Sequence, residues 1–324
     1  GRRMSFLNPL IATISLALEI TGILLAMRAI LIARTPQSAI AWSCGLVVLP
    51  IVAIPLFLIF GESRFAGYTL AGRKGSQKLD EAFHSIIRHL DGYQADFSGD
   101  FREASKMANN LSRIPATSGS KISLLIDGNE TFQSIFAAID AAKESIWVQF
   151  FIIHDDRIGR ELADRLVAAA RRGVECRVMF DQVGSKSLSP SWSARLRQEG
   201  VLVQSFVTNR QFGRRFQINF RNHRKLVIVD ALVAFLGGLN VGDEYLGRSR
   251  RFGPWRDTHI RIEGPCVPGF QLSFLEDWNY ITGEVPPFRL PKPTVEANPS
   301  PVVFPIASGP AESWSICPAV YLSI

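Results

Sequence analysis

The sequence predicts an α/β domain, a sheet flanked by helices, preceded by a two-helix transmembrane hairpin. Three observations lead there. Residues 9–27 and 39–60 are apolar runs, each able to span ~20 residues of bilayer, joined by a short polar turn containing Arg28, Arg34, Thr35 and Pro36. From residue 121 to 206, short apolar runs alternate with amphipathic stretches, the rhythm of a layered α/β domain. Residues 226–229 are four consecutive apolar residues, two of them valine, ending at Asp230, as in a buried strand.

Taken in order, the first apolar run is too long for a cleaved signal peptide, and a second span follows at once. Glu19 sits near mid-span, where a charge is expensive; it is either a contact inside a helix bundle or a tolerated carboxyl in an anchor. Arg64, Arg73, Lys74 and Lys78 follow the second run, which places both ends of the hairpin on the cytoplasmic side. Leu79, Phe83, Ile86, Ile87 and Leu90 then recur at helical spacing. That helix either packs on the domain or lies at the membrane surface; packing is the commoner fate of such a stripe.

Strands are expected at 122–126, 146–153, 174–180 and 201–206, with helices at 131–142, 159–172 and 191–199. Gly173 and Gly200 stop the last two helices. Asp155, Asp156 and Asp181 fall at carboxyl ends of strands, where sites are commonly built, but helix caps and turns use the same residues. Nine of the eighteen prolines lie in 284–324, an extended linker. The expected division is therefore 1–62 transmembrane hairpin, 63–118 membrane-proximal helical linker, 119–283 catalytic domain and 284–324 proline-rich linker.

The chemistry concentrates at Asn222-His223-Arg224-Lys225, the 226–229 strand, Asp230, and Gly237-Gly238-Leu239-Asn240. Residues two apart in a strand share a face, so His223 and Lys225 stand side by side. Asp230 lies at odd spacing from His223 and reads as a turn or orienting residue. A second apolar run, 233–236, is at hairpin distance and returns Gly237, Gly238 and Asn240 toward Lys225. The glycines leave room for a bulky group to approach the backbone, and Asn240 could hydrogen-bond it. An imidazole can attack phosphorus while Lys225 offsets charge on the phosphate oxygens, so the pattern suits phosphoryl transfer through a covalent intermediate. Arg210, Arg214, Arg215, Arg221 and Arg224 precede the motif, and Arg248, Arg250 and Arg251 follow it: an electrostatic rim for anionic headgroups, or solvated loops.

The net charge of +7 over 324 residues favours an anionic partner, nucleic acid or an anionic lipid surface. Cys44, Cys176, Cys266 and Cys317 are scattered without a C-x-x-C pair, against a zinc site or disulfide scaffold. No metal and no cofactor is expected.

The pattern H-x-K-x4-D-x6-G-G-x-N resembles the signature of the phospholipase D superfamily. Arg221 to Lys225, Asp243-Glu244-Tyr245, Trp255-Arg256-Asp257-Thr258-His259 and Asp277-Trp278 are similar to the first catalytic half of bacterial cardiolipin synthases. Ala231 departs from it, because the family often has glycine after the motif aspartate. The resemblance implies a phospholipase D-like sheet and a phosphatidyl group passed between two phosphatidylglycerol molecules with loss of glycerol. It implies His223, Lys225 and Asp230 as catalytic residues, with Asn240, Gly237, Gly238, Arg221 and Arg224 on the substrate. The partners implied are phosphatidylglycerol and the bacterial inner membrane, not nucleic acid. The family uses two such motifs, and residues 302–310 resemble the opening of the second half, so the chain is expected to be incomplete and inactive alone, with a tendency to self-associate. The rival readings are a phospholipase D-type phosphodiesterase using water and a non-catalytic membrane-anchored fragment.

Overall fold

In the computed structural model the described residues are 2–33, 36–61, 77–95, 112–206, 222–296 and 300–307. Arg34, Arg64, Arg73, Lys74, Arg210, Arg214, Arg215, Arg221, Cys317 and residues 308–324 lie outside them. The chain divides into two units, residues 1–70 forming most of one and the sheet domain the other.

The first unit holds α1 (Arg2–Ile32), α2 (Pro36–Val48) and α3 (Pro50–Phe60). Within α1, the 22 residues Ile11–Ile32 are long and apolar enough to cross a membrane. The second run, expected as one span over 39–60, is instead two helices parted at Leu49, whose φ is −132° and ψ 58°. Pro50 is the cause, because a proline ring pushes the residue before it out of the α region. Helical bonding resumes at once: Leu49 N–H donates to Gly45 and Ala53 N–H to Leu49, both at 2.9 Å. Gly22, Ala26 and Ala29 form a buried small-residue stripe on α1. A Cβ on Gly22 would strike the Leu46 carbonyl of α2, so the two backbones touch there. Close approach through small residues is how helices associate in lipid. Glu19 is exposed and outside that contact.

In the second unit, strand alternation decides the architecture. β2 (Ser145–Phe150) sends Ile146, Val148 and Phe150 to one face and Trp147 and Gln149 to the other, and all five are buried. Both faces therefore carry helices. On the first lie α5 (Asp127–Ala141), α6 (Arg157–Arg171) and α7 (Pro190–Gln198), through Phe132, Ile135, Leu162, Leu166, Trp192 and Leu196. On the second lie α4 (Gln77–Leu90) and α8 (Val267–Thr282), whose Ile86, Leu90, Phe274 and Trp278 pack on Trp147 and Ile228. The membrane-proximal helix thus packs on the domain, through Leu79, Phe83, Ile86 and Leu90.

The remaining strands are β1 (Lys121–Ile126), β3 (Glu175–Asp181), β4 (Leu202–Phe206), β5 (Leu226–Val229), β6 (Val233–Gly237) and β7 (Thr258–Glu263). The seven run in the order β1-β7-β6-β5-β2-β3-β4. β2, β3 and β4 are parallel, as the βα rhythm predicts, and the other pairs are antiparallel. Sequence reading misses β7 and α8. The first has only Ile260 and Ile262 as apolar residues between polar neighbours, too few to stand out as a strand. The second opens on Pro268-Gly269, a breaker pair that a first helical turn tolerates.

β5 and β6 form the expected hairpin, pairing Leu226 with Leu236 and Val229 with Val233. At its tip Asp230 and Ala231 have φ of 53° and 56°, the primed-turn conformation that suits glycine far better than alanine. Ala231→Gly should therefore stabilise the domain by about 0.5–1 kcal/mol, the left-handed cost less the entropy of glycine. A lower urea midpoint for the variant would contradict that strain.

Candidate active site

The carboxyl ends of β2, β3, β4 and β6 and the amino ends of β5 and β7 meet at one edge of the sheet. There β2 runs on into Phe151, whose ring stacks on His223 at 4.0 Å between centroids and 24° between planes. Lys225 Nζ stands 5.7 Å from the same ring centroid and donates to the His223 carbonyl at 2.8 Å. The imidazole and the ammonium therefore share one aromatic floor, on one face, as their spacing predicts. His223 is exposed and Lys225 half-buried. Burial holds the Lys225 pKa below its usual value, partly opposed by the Asp257 charge.

The backbone around His223 is tied on both sides. Asp181, at the end of β3, accepts from Val183 N (2.9 Å), Gly184 N (3.1 Å) and Asn222 N (3.3 Å). Asp277 on α8 is buried and accepts from Gln149 Nε2 (2.6 Å) and Asn222 Nδ2 (2.7 Å) while pairing with the Arg224 guanidinium. Arg224 also donates to the Ser273 carbonyl at 3.4 Å, and its backbone N–H donates to Asn222 Oδ1 at 3.1 Å. Neighbours on either side of His223 thus point inward to α8, and His223 alone is presented outward. Arg224 corrects the expectation of a substrate-binding rim, because its charge is committed to a buried carboxylate. Arg221, the other arginine expected there, lies outside the described residues.

The glycines and Asn240 also differ from expectation. A Cβ on Gly237 would meet the His259 imidazole and the Thr258 carbonyl, and one on Gly238 would meet the Asp257 carboxylate. The space they leave is filled by the start of β7. Asn240 is buried, accepting from Ile152 N at 3.1 Å and donating to the Tyr245 hydroxyl at 3.1 Å. It locks the loop after β6 to the chain beyond β2. Asp230 stands at the far end of β5 from His223, accepting from the N–H groups of Lys143 (2.9 Å), Glu144 (2.8 Å) and Ser145 (2.9 Å). It anchors β2 and the hairpin turn and does not reach the imidazole. Asp156 caps α6 through Gly159 N at 3.1 Å, and Asp155 holds Arg160 at 2.8 Å and Ser189.

Residues 135–250 match the family model described as "Cardiolipin synthase, PLD-like domain". Cardiolipin synthase A of Pseudomonas entomophila (strain L48) is 42% identical over 311 residues, covering 94% of this chain and 64% of that protein. Cardiolipin synthase A of Pseudomonas putida (strain GB-1) is 40% identical over 313 residues, with the same coverage. The chain is similar to bacterial cardiolipin synthases over nearly its whole length, and its residues 135–250 to their PLD-like domain. It spans 64% of the length of these two relatives. Among solved structures, the phospholipase D family member Nuc from Salmonella typhimurium is 20% identical, with a TM-score of 0.36, covering 52% of this chain and 99% of its own.

Sequence reasoning assigns no role to two neighbours of the motif. Phe151 carries no polar signal, and only the fold brings it beneath His223. His259 is 1% exposed on β7, and its Nδ1 accepts from Leu239 N at 3.4 Å. Burial lowers its pKa to about 4, with Lys225 acting in the same direction and Asp257 against it. Between that value and 6.5 the unfolded chain holds a proton on this ring that the folded chain does not. Stability is therefore whole above about 6.5 and falls as pH drops toward about 4. In His259→Gln the fall over that range should be shallower. Parallel unfolding midpoints against pH for the two proteins would contradict a buried neutral imidazole.

Proposed function

We propose that this chain supplies a phosphatidyl-transfer site that makes cardiolipin from two phosphatidylglycerol molecules, releasing glycerol. The observation that carries the reading is the exposed His223 imidazole on Phe151, with the Lys225 ammonium against the same ring. The phosphodiester lies over the imidazole with an anionic oxygen toward Lys225. In the first step a nitrogen–phosphorus bond forms, the phosphorus–glycerol oxygen bond breaks, and the leaving oxygen takes a proton from a general acid. In the second, a hydroxyl of another phosphatidylglycerol attacks phosphorus and gives up its proton to the same group, and the nitrogen–phosphorus bond breaks. Two histidines share these duties in this reading, His223 being one of them. Lys225 balances the charge gathering on the phosphate oxygens. A lowered pKa still leaves a lysine cationic near neutrality unless the shift is several units.

Phosphatidylglycerol vesicles test this in one assay with the protein from the full reading frame. Cardiolipin and free glycerol should appear in equal amounts. Phosphatidic acid in place of cardiolipin would move the reading to a phosphodiesterase using water. The same proposal makes the chain multi-pass, with the sheet domain cytoplasmic. A reporter active only in the periplasm, fused after Lys78, should stay silent, and a strong signal would reverse the orientation.

A further inference from the structure

The loop between the 3-10 turn Asp243–Leu246 and β7 has a composition the site does not use. Residues 247–256 hold four arginines, one phenylalanine, one tryptophan and no carboxylate. The loop has defined ends: Gly247 and Gly253 take positive φ, 69° and 66°. Arg248 pairs with Asp243 at 2.9 Å, and Arg256 donates to Thr258 Oγ1 at 3.0 Å. Trp255 is wedged edge-on against Tyr245 at 4.9 Å. The middle is different. Phe252 is 52% exposed, touching only its neighbour Trp255 at 6.0 Å among the ring contacts, with the Arg251 guanidinium 5.4 Å from its ring. Arg250 and Arg251 are exposed, and among the described residues neither has an ion-pair partner.

An exposed large aromatic braced by a second aromatic and flanked by unpaired cations is costly in water and suited to one environment. At a bilayer surface the ring enters the acyl-chain boundary and the guanidiniums meet lipid phosphates. The loop also has the right place. It leads directly into Asp257 and Thr258, so it projects from the sheet edge that carries His223. We infer that residues 248–256 form a docking loop for an anionic phospholipid surface, with Phe252 as the inserted residue and Arg250 and Arg251 as phosphate contacts. Docking there sets the His223 edge at the depth of the headgroups. The occupant follows from charge complementarity and from an apolar helix in the same chain that is long enough to cross a bilayer. The inference rests on the phosphatidylglycerol reading only for the sign of the lipid charge.

The test is depth-dependent quenching on the whole chain reconstituted in vesicles. Cys44 and Cys317 are replaced by Ser; Cys176 and Cys266 are buried and stay. A fluorophore is attached at Phe252→Cys or, as control, at Leu232→Cys beside the opposite end of the β5–β6 hairpin. Nitroxide lipids carry the spin at headgroup depth or just below. In phosphatidylglycerol vesicles the label at 252 should be quenched several-fold more than the label at 232. Quenching should weaken in phosphatidylcholine, and weaken again when Arg250→Gln and Arg251→Gln are added. Equal quenching at 252 and 232 in phosphatidylglycerol overturns the docking loop, and equal quenching at 252 in both lipids overturns the role of the arginines. Cardiolipin formation is measured separately with unlabelled protein, so failure of the loop and failure of the proposed activity are distinguishable.

Discussion

His223→Ala, introduced into the full reading frame, should remove cardiolipin formation while leaving membrane insertion and the unfolding midpoint unchanged. General acid–base work alone accounts for ~10²–10⁴-fold, and a nucleophile for more. The separation of activity from stability is itself the expectation. His223 is exposed, and its ring contact is with Phe151 at the domain surface, so its truncation opens no buried cavity. Lys225→Ala should lower the rate at saturating lipid, because the ammonium acts on the phosphate in the transition state more than in the ground state. Near-normal turnover by His223→Ala would remove the chemical role given to the motif.

The largest structural effect should come from Asp277→Ala. Its carboxylate is buried and serves Gln149, Asn222 and Arg224 at once. Removing it leaves a half-buried guanidinium and two side-chain amides without their acceptor. The cost of breaking such a pair is about 3–5 kcal/mol. Arg224→Ala should cost less, since Gln149 and Asn222 still donate to the carboxylate. Both variants should also slow catalysis, because Asn222 and Arg224 are the two residues that hold His223 in place. Denaturant midpoints ranked wild type, Arg224→Ala, Asp277→Ala would support this account. Equal midpoints for all three would show that the pair does not anchor the motif.

The parts of the fold written in local chemistry were legible. Gly173 and Gly200 were read as helix stops, and both take positive φ, 88° and 83°. The 226–229 and 233–236 runs were read as a hairpin, and they pair across two positive-φ residues. His223 and Lys225 were placed on one face by period two, and they meet one ring. What failed was the identity of distant partners. A glycine pair signals that something approaches closely, but not that the visitor is Asp257 and His259 of the chain itself. Arg224 looked like one more cation in a basic run, and its partner lies 53 positions away on a helix that the sequence hides behind Pro268-Gly269. Asn240 and Asp230 carry the chemistry that would suit a phosphate and a catalytic proton. The fold turns both toward backbone N–H groups, which for Asp230 is the turn role that its odd spacing from His223 suggests. The second apolar run showed the reverse fault, since hydropathy cannot register that Pro50 breaks the helix at Leu49.

The central claim is that the phosphatidyl group passes through a covalent bond to the protein. Each in-line displacement at phosphorus inverts its configuration, so two in sequence restore it, whichever histidine attacks. Phosphatidylglycerol made chiral at phosphorus with oxygen isotopes, converted to cardiolipin by the full-length protein, reads this directly. Retention of configuration is the predicted result. Inversion would mean that the second lipid attacks the first without an intermediate, and would contradict the account.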